Sequence, residues 1–190
     1  MYTYFQIFYT NMKITIFWLA GSGTTTIAKI LSKQLNYTFI STGNIFRKYA
    51  QEAGMDLYKF ENTIVKKDPN FDIKLDNKMK EFWEKNDNFI FESRLAWNFI
   101  PDSLKIYLDC EQSERYKRIQ NREQWKIEDI TFFNLRREKE LEIRYKKIYP
   151  HIDFPPKKEI FDIYIDTTDK DPKNILNIIL KQLDAWSSIL

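Results

Sequence analysis

The chain has 190 residues, 43% of them hydrophobic, enough for one well-packed core and short for two, so a single domain is expected. Its 30 basic and 27 acidic residues leave a net charge of +3, too even for nucleic-acid binding through bulk electrostatics. Cys110 and His151 are each the sole residue of their type, which argues against a disulfide, a cysteine zinc site, a Ser/His/Asp triad or a histidine metal cluster.

Residues 1–11 are apolar and aromatic but lack the basic start and cleavage site of a signal peptide. They are expected to be an upstream extension, with Met12 as the candidate start of a single domain over 12–190. No later stretch approaches the roughly 20 apolar residues of a membrane span, and the cysteine usage fits a reducing cytoplasm.

In chain order, Lys13 to Phe17 reads as a strand, a Gly/Ser/Thr-rich turn follows, and Ile27, Ile30, Leu31 and Leu35 recur at helical spacing. Tyr37 to Ile40 reads as a second strand, Ser41-Thr42-Gly43 as a turn, and Ile45 to Ala53 as a helix ended by Gly54. Two charged amphipathic segments broken at Asp68-Pro69 come next. Asn88 to Phe91 is then an apolar strand ending in Glu92. Leu104 to Leu108 is a strand, Glu111 to Arg122 and Glu128 to Tyr149 are charged helices, Phe161 to Ile165 is a strand, and Ile175 to Trp186 is an amphipathic helix. The stretch around His151, between Pro150 and Pro155-Pro156, reads as a turn. This alternation predicts an α/β fold with a five-stranded parallel sheet and helices on both faces.

The first turn carries the strongest signal. Glycines between a strand and a helix let backbone N–H groups converge on phosphate oxygens at the helix N-terminus. The segment Trp18-Leu19-Ala20-Gly21-Ser22-Gly23-Thr24-Thr25-Thr26 is therefore the expected site for ATP, with Thr25 where a Walker A hydroxyl binds Mg2+. It departs from GxxxxGK(S/T) at two places: Trp18 stands for the first glycine and Thr24 for the lysine. Glu92, at a strand end, is the expected carboxylate for the same Mg2+.

The chain uses lysine as its default cation, and its eight arginines, at 47, 94, 115, 118, 122, 136, 137 and 144, fall near strand ends or in the helical pair before the last strand. Guanidinium forks bind phosphate bidentately and stay charged, so this placement suits phosphoryl transfer. Arg47 and Arg94 are expected at the carboxyl-end crevice of the sheet. Arg118 and Arg122 share a helix face, and Arg137 and Arg144 lie two turns apart on the next helix, so two basic edges can close on a phosphate chain.

With these residues in view, the chain resembles the archaeal type of cytidylate kinase over about Lys13 to Leu183. Gly21-Ser22-Gly23-Thr24-Thr25-Thr26 is similar to that family's GSGTTT, in which threonine also replaces the Walker lysine, whereas Trp18 and Ala20 depart from it. Ser41-Thr42-Gly43-Asn44-Ile45-Phe46-Arg47 and Glu92-Ser93-Arg94-Leu95-Ala96 resemble its acceptor-binding segments. Asp68-Pro69 with Asp72 and Asp76 resembles the acidic stretch of its substrate-binding insertion, and the arginine-rich helices resemble its lid.

The resemblance implies a P-loop NTPase three-layer fold with an acceptor-binding insertion at about 44–87 and a helical lid at about 111–149. It implies transfer of phosphoryl from ATP, with Mg2+, to a pyrimidine nucleoside monophosphate, CMP or dCMP. Ser41, Arg47 and Arg94 would bind the acceptor, and Arg118, Arg122, Arg137 and Arg144 would clamp the phosphates. A cytoplasmic monomer that uses no nucleic acid or membrane partner is expected. Two other readings stay open from the residues alone: another small-molecule kinase on this fold, and a degenerate nucleotide-binding protein without catalysis.

Overall fold

The computed structural model describes residues 11–68, 70–123 and 127–187, so the expected extension at 1–11 lies, except for Asn11, outside the described residues. Alternation in Lys13–Trp18 (β1) sends Ile14 and Ile16 to one face of the sheet and Thr15 and Phe17 to the other, all four fully buried. A strand buried on both faces belongs in the middle of a parallel sheet. β1 indeed lies at its centre, flanked by Phe89–Glu92 (β3) and Leu104–Asp109 (β4), with Thr38–Ser41 (β2) and Ile163–Asp166 (β5) at the edges. All four pairings are parallel, in the order β2-β3-β1-β4-β5.

One face is covered by Thr24–Leu35 (α1) and Pro172–Ser187 (α8). Ile27 and Leu31 of α1, and Ile175, Ile179 and Leu183 of α8, recur four residues apart and meet Ile14, Ile16, Ile90, Ile106 and Leu108 in one apolar layer. Each such buried side chain stabilises the fold by about 1.5–3 kcal/mol relative to exposure. The other face is aromatic. Phe89 and Phe91 pack with Met79, Phe82 and Trp83 of Phe71–Lys85 (α4), and Phe17 with Tyr107 and Phe161. Leu141 and Tyr145 of Ile127–Ile148 (α7) pack with Leu95 and Ile152 on this side as well.

The remaining helices are Thr42–Glu52 (α2), Leu57–Thr63 (α3), Ala96–Phe99 (α5) and Gln112–Glu123 (α6). Three features differ from the sequence reading. Ser41-Thr42-Gly43 is no separate turn: extended Ser41 accepts a hydrogen bond from Asn44 N through its hydroxyl, so α2 starts directly from β2. The single turn α5 is too short to show a periodicity. The last strand starts at Ile163, because Phe161 instead ends a short 3-10 turn and turns its ring into the aromatic layer. Of the Asp68-Pro69 break, Asp68 is described, accepting from Asn70 N ahead of α4, and Pro69 lies outside the described residues.

This order of strands positions the site. The chain moves outward from β1 to β2 on one side and to β4 and β5 on the other, and ligands of such sheets bind at the carboxyl ends where that direction changes. Register completes the arrangement: Glu92 pairs with Ile16 on β1 and with Ser41 on β2, so the end of β3 is bracketed by the start of the glycine loop and the start of α2.

Candidate active site

The loop from β1 to α1 needs its glycines for two physical reasons. Gly21 and Gly23 have φ of 90° and 87°, in the left-handed region that β-carbons disfavour. At Gly21 a β-carbon would also stand 2.4 Å from the backbone oxygen of Arg115. The loop thus lies against the first turn of α6. No side chain caps α1 and no acidic residue sits in its first turn, which leaves that turn's N–H groups and the helix dipole facing the loop. Leu19 and Ala20 are partly exposed, Thr26 is exposed, and Trp18 ends β1 opposite Leu108.

Glu92 is 1% exposed and anchors the loop from beside it. Its Oε1 accepts from Thr24 Oγ1 at 2.9 Å and from Thr25 Oγ1 at 2.6 Å. Its Oε2 is buried without a hydrogen-bond partner among the described residues, and so is Ser22 Oγ. An unpartnered buried carboxylate oxygen is costly, and a bound cation is one way to satisfy it. The hydroxyl at the Walker lysine position therefore points to a carboxylate. Among the described residues no group of three or more His, Cys, Asp or Glu could hold a metal. Any ion here would have one carboxylate and hydroxyls as protein ligands, a set that suits Mg2+ with phosphate and water completing its shell.

The basic residues divide into two groups. Arg115, 4% exposed, donates through its Nη1 to Ala20 O at 3.1 Å and to Glu138 Oε1 at 2.7 Å, which ties the loop to α7. Arg118 lies beside the glycine loop, its Nη1 3.9 Å from where a β-carbon on Gly23 would stand. Its guanidinium donates to the backbone oxygens of Thr167 and Thr168 at 2.8 and 2.9 Å and to Glu114 at 3.0 Å. Thr167 Oγ1 in turn lies 3.1 Å from Ser22 O, so Arg118 braces the segment after β5 against the glycine loop. Arg122 is exposed near the end of α6, next to residues outside the described ones.

The second group converges elsewhere. Arg94, just past β3, and Arg137 and Arg144 on α7 line one small cavity with Thr42, Gly43, Glu61, Asp72 and Asp76. Arg47 stands at its edge, with Nη2 on Asn44 Oδ1 at 2.6 Å and its guanidinium about 3.5 Å from where a β-carbon on Gly43 would lie. Ser41 is buried in its capping role. Arg144 Nε lies 3.2 Å from Asp72 Oδ2, yet its N–H has no properly directed acceptor among the described residues. That leaves a buried donor on a side chain that lines the cavity.

The carboxylates there are perturbed. Burial, with the charge of Asp72 adding to it, pushes Asp76 up to about 6 against the opposing hydrogen bond from Tyr149. Burial also raises Asp72, opposed by Arg144. Glu61 goes the other way: burial works to raise it, and the charges of Arg137, Arg94 and Arg144 more than reverse this. No local pattern marks Glu61, which looks like an ordinary residue of a charged helix; Asp72 and Asp76 stand out in the sequence without a contact to assign them.

A glycine loop after the central strand, facing an arginine-lined cavity across a buried strand-end carboxylate, defines the class as a P-loop kinase fold. The AAA domain family matches residues 14–144. Solved structures of the same fold include an uncharacterized protein from Eubacterium ventriosum, 19% identical over 93% of this chain and 99% of that one with a TM-score of 0.68. They also include a shikimate kinase from Aquifex aeolicus, 19% identical over 92% and 97% with a TM-score of 0.55.

Among sequence relatives, the cytidylate kinase of Methanosarcina acetivorans is 36% identical over 92% of this chain and 97% of its own length. That of Methanobrevibacter smithii is 37% identical over 90% and 98%. The chain belongs to the cytidylate kinase family.

Proposed function

We propose that this protein transfers the terminal phosphoryl group of ATP to CMP or dCMP, giving ADP and the corresponding diphosphate. The observation that carries the reading is the convergence of Arg94, Arg137 and Arg144 on one cavity past the Glu92 end of β3. Phosphoryl transfer asks little covalent chemistry of a protein. An acceptor phosphate oxygen attacks the terminal phosphorus, the bond to the bridging oxygen breaks, and the protein holds both partners in line while neutralising charge on the equatorial oxygens.

In this reading the backbone N–H groups of residues 18–26 cradle the ATP phosphates, and Arg118 and Arg115 hold that loop in shape. Thr25 and Glu92 would hold Mg2+, a role supported by the Oε2 of Glu92, which has no hydrogen-bond partner among the described residues. When bound there, the ion would supply charge neutralisation to the ATP phosphates. Arg47, Arg94 and the Ser41 end of α2 take the acceptor. Arg118, Arg122, Arg137 and Arg144 clamp the phosphates of donor and acceptor and supply the transition-state charge as the unit of α6 and α7, about 111–149, closes over the insertion at about 44–87 and excludes water.

No described helix is long and apolar enough to cross a membrane. We read the protein as a cytoplasmic monomer whose domain begins at Met12.

The test is ADP production from MgATP with CMP, dCMP, UMP and AMP in parallel. Selective turnover of CMP and dCMP is expected. Turnover of AMP alone would replace the acceptor, and silence with all four would favour a nucleotide-binding protein without catalysis, as the Trp18 departure allows.

A further inference from the structure

Glu61 lies on α3, and the phosphoryl-transfer chemistry gives it no part. Its two oxygens accept from Nε and Nη2 of Arg137 at 2.9 and 2.8 Å, the parallel fork that a phosphate oxygen pair also makes. Its side chain is 11% exposed, and the charges of Arg94 and Arg144 act on it along with that of Arg137. It borders both the small cavity and an adjoining cleft of ≈ 570 Å³ between α3, α4 and α7. A carboxylate thus occupies the place where the arginines gather.

Guanidinium charges gathered at one cavity repel one another unless an anion lies among them. A carboxylate of charge −1 relieves that repulsion. A phosphate monoester carries about −1.5 to −2 near neutral pH and offers three acceptor oxygens, so it outcompetes the carboxylate for the same forks. We propose that Glu61 is a resident counter-anion of the acceptor phosphate subsite, a specificity-determining residue that yields Arg137 to a phosphate monoester and withholds it from monoanions. The exchange replaces one ion pair between α3 and α7, while the Tyr58–Phe133 ring contact and Arg136 over Tyr58 still join the two helices. The inference rests on the acceptor reading above.

A bracing ion pair and a competing one have opposite signs. If Glu61 only steadies Arg137, removing its charge weakens anion binding; if it competes, removal strengthens it. The experiment is calorimetric titration of the full chain and of Glu61→Gln with inorganic phosphate, with nitrate as a competing monoanion. Phosphate is expected to bind Glu61→Gln about tenfold more tightly, the equivalent of losing about 1.4 kcal/mol of competition. Nitrate should compete in the variant and not in the native chain. The gain should vanish in an Arg137→Ala background, which separates this subsite from phosphate bound at the glycine loop.

Unchanged or weaker phosphate binding in Glu61→Gln overturns the proposal, as does a gain that survives Arg137→Ala. Should Glu61→Gln fail to fold by circular dichroism, Glu61→Asp keeps the charge on a shorter arm that reaches the fork poorly. It is expected to bind phosphate more tightly than the native chain, and equal or weaker binding refutes the idea. The titration needs neither a base nor turnover, so it still tests Glu61 if the acceptor is a phosphate monoester other than CMP.

Discussion

Glu92 accepts the hydroxyl of Thr25 at 2.6 Å across 67 residues of sequence. The same oxygen takes Thr24, at the position where a Walker loop has its lysine. A Walker lysine would reach for phosphates; this threonine instead donates to a buried carboxylate. Its second oxygen is buried and has no hydrogen-bond partner among the described residues.

Replacing Glu92 by Gln keeps the shape and removes the charge. Turnover is expected to fall by about 100-fold or more, and the Mg2+ concentration giving half-maximal rate to rise. A Mg2+ titration of the variant is the measurement; a native midpoint would take Glu92 away from the metal.

The two loop glycines should fail differently. Gly21→Ala meets both a positive φ and the Arg115 backbone oxygen, whereas at Gly23 the nearest atom to a new β-carbon is the Arg118 side chain at 3.9 Å. Gly23→Ala is expected to cost about 1–2 kcal/mol of backbone strain, and Gly21→Ala more, by displacing α6 from the loop. Urea denaturation compares them; equal losses would mean that the contact with α6 gives way freely.

Arg144 has a buried N–H without a well-directed acceptor. Arg144→Ala is expected to lower kcat on the order of 100- to 1,000-fold while ATP affinity changes little. Steady-state rates beside equilibrium ATP binding test this, and a loss confined to ATP affinity would move Arg144 to the donor.

Asp76 makes stability depend on pH. Its carboxyl is raised from 3.8 to about 6, first by burial, so between those values the folded chain holds a proton that the unfolded chain has lost. That contribution is fully present below about pH 4 and is lost as pH rises through about 6. Asp76→Asn can still accept from Tyr149 and carries no charge. It is expected to be more stable than the native chain by about 1–2 kcal/mol near pH 8, allowing for solvent screening, and about equal to it near pH 4. Denaturation midpoints across this range check it; a constant difference would assign the effect to packing.

Much of this protein was legible in its sequence because the signals are local. Ile27 and Leu31 repeat along one helix, β1 alternates, and Gly21 and Gly23 mark a turn that only a glycine makes without strain. These are constraints between near neighbours, so the order of strands and helices and the glycine loop could be read directly.

Only the tertiary structure decided who partners whom. Arg118 and Arg122 look alike in sequence, yet Arg118 is drawn to the carbonyls after β5, 49 and 50 residues away. Glu61 resembles any solvated helix glutamate until packing buries it against Arg137, 76 residues on. Charge pairing falls off within a Debye length in water and strengthens on burial, so an ionic partner is chosen by which surfaces the fold brings together. A side chain's type states what it can bind; the parallel order of the sheet and the packing of α3 on α7 settled what it does bind.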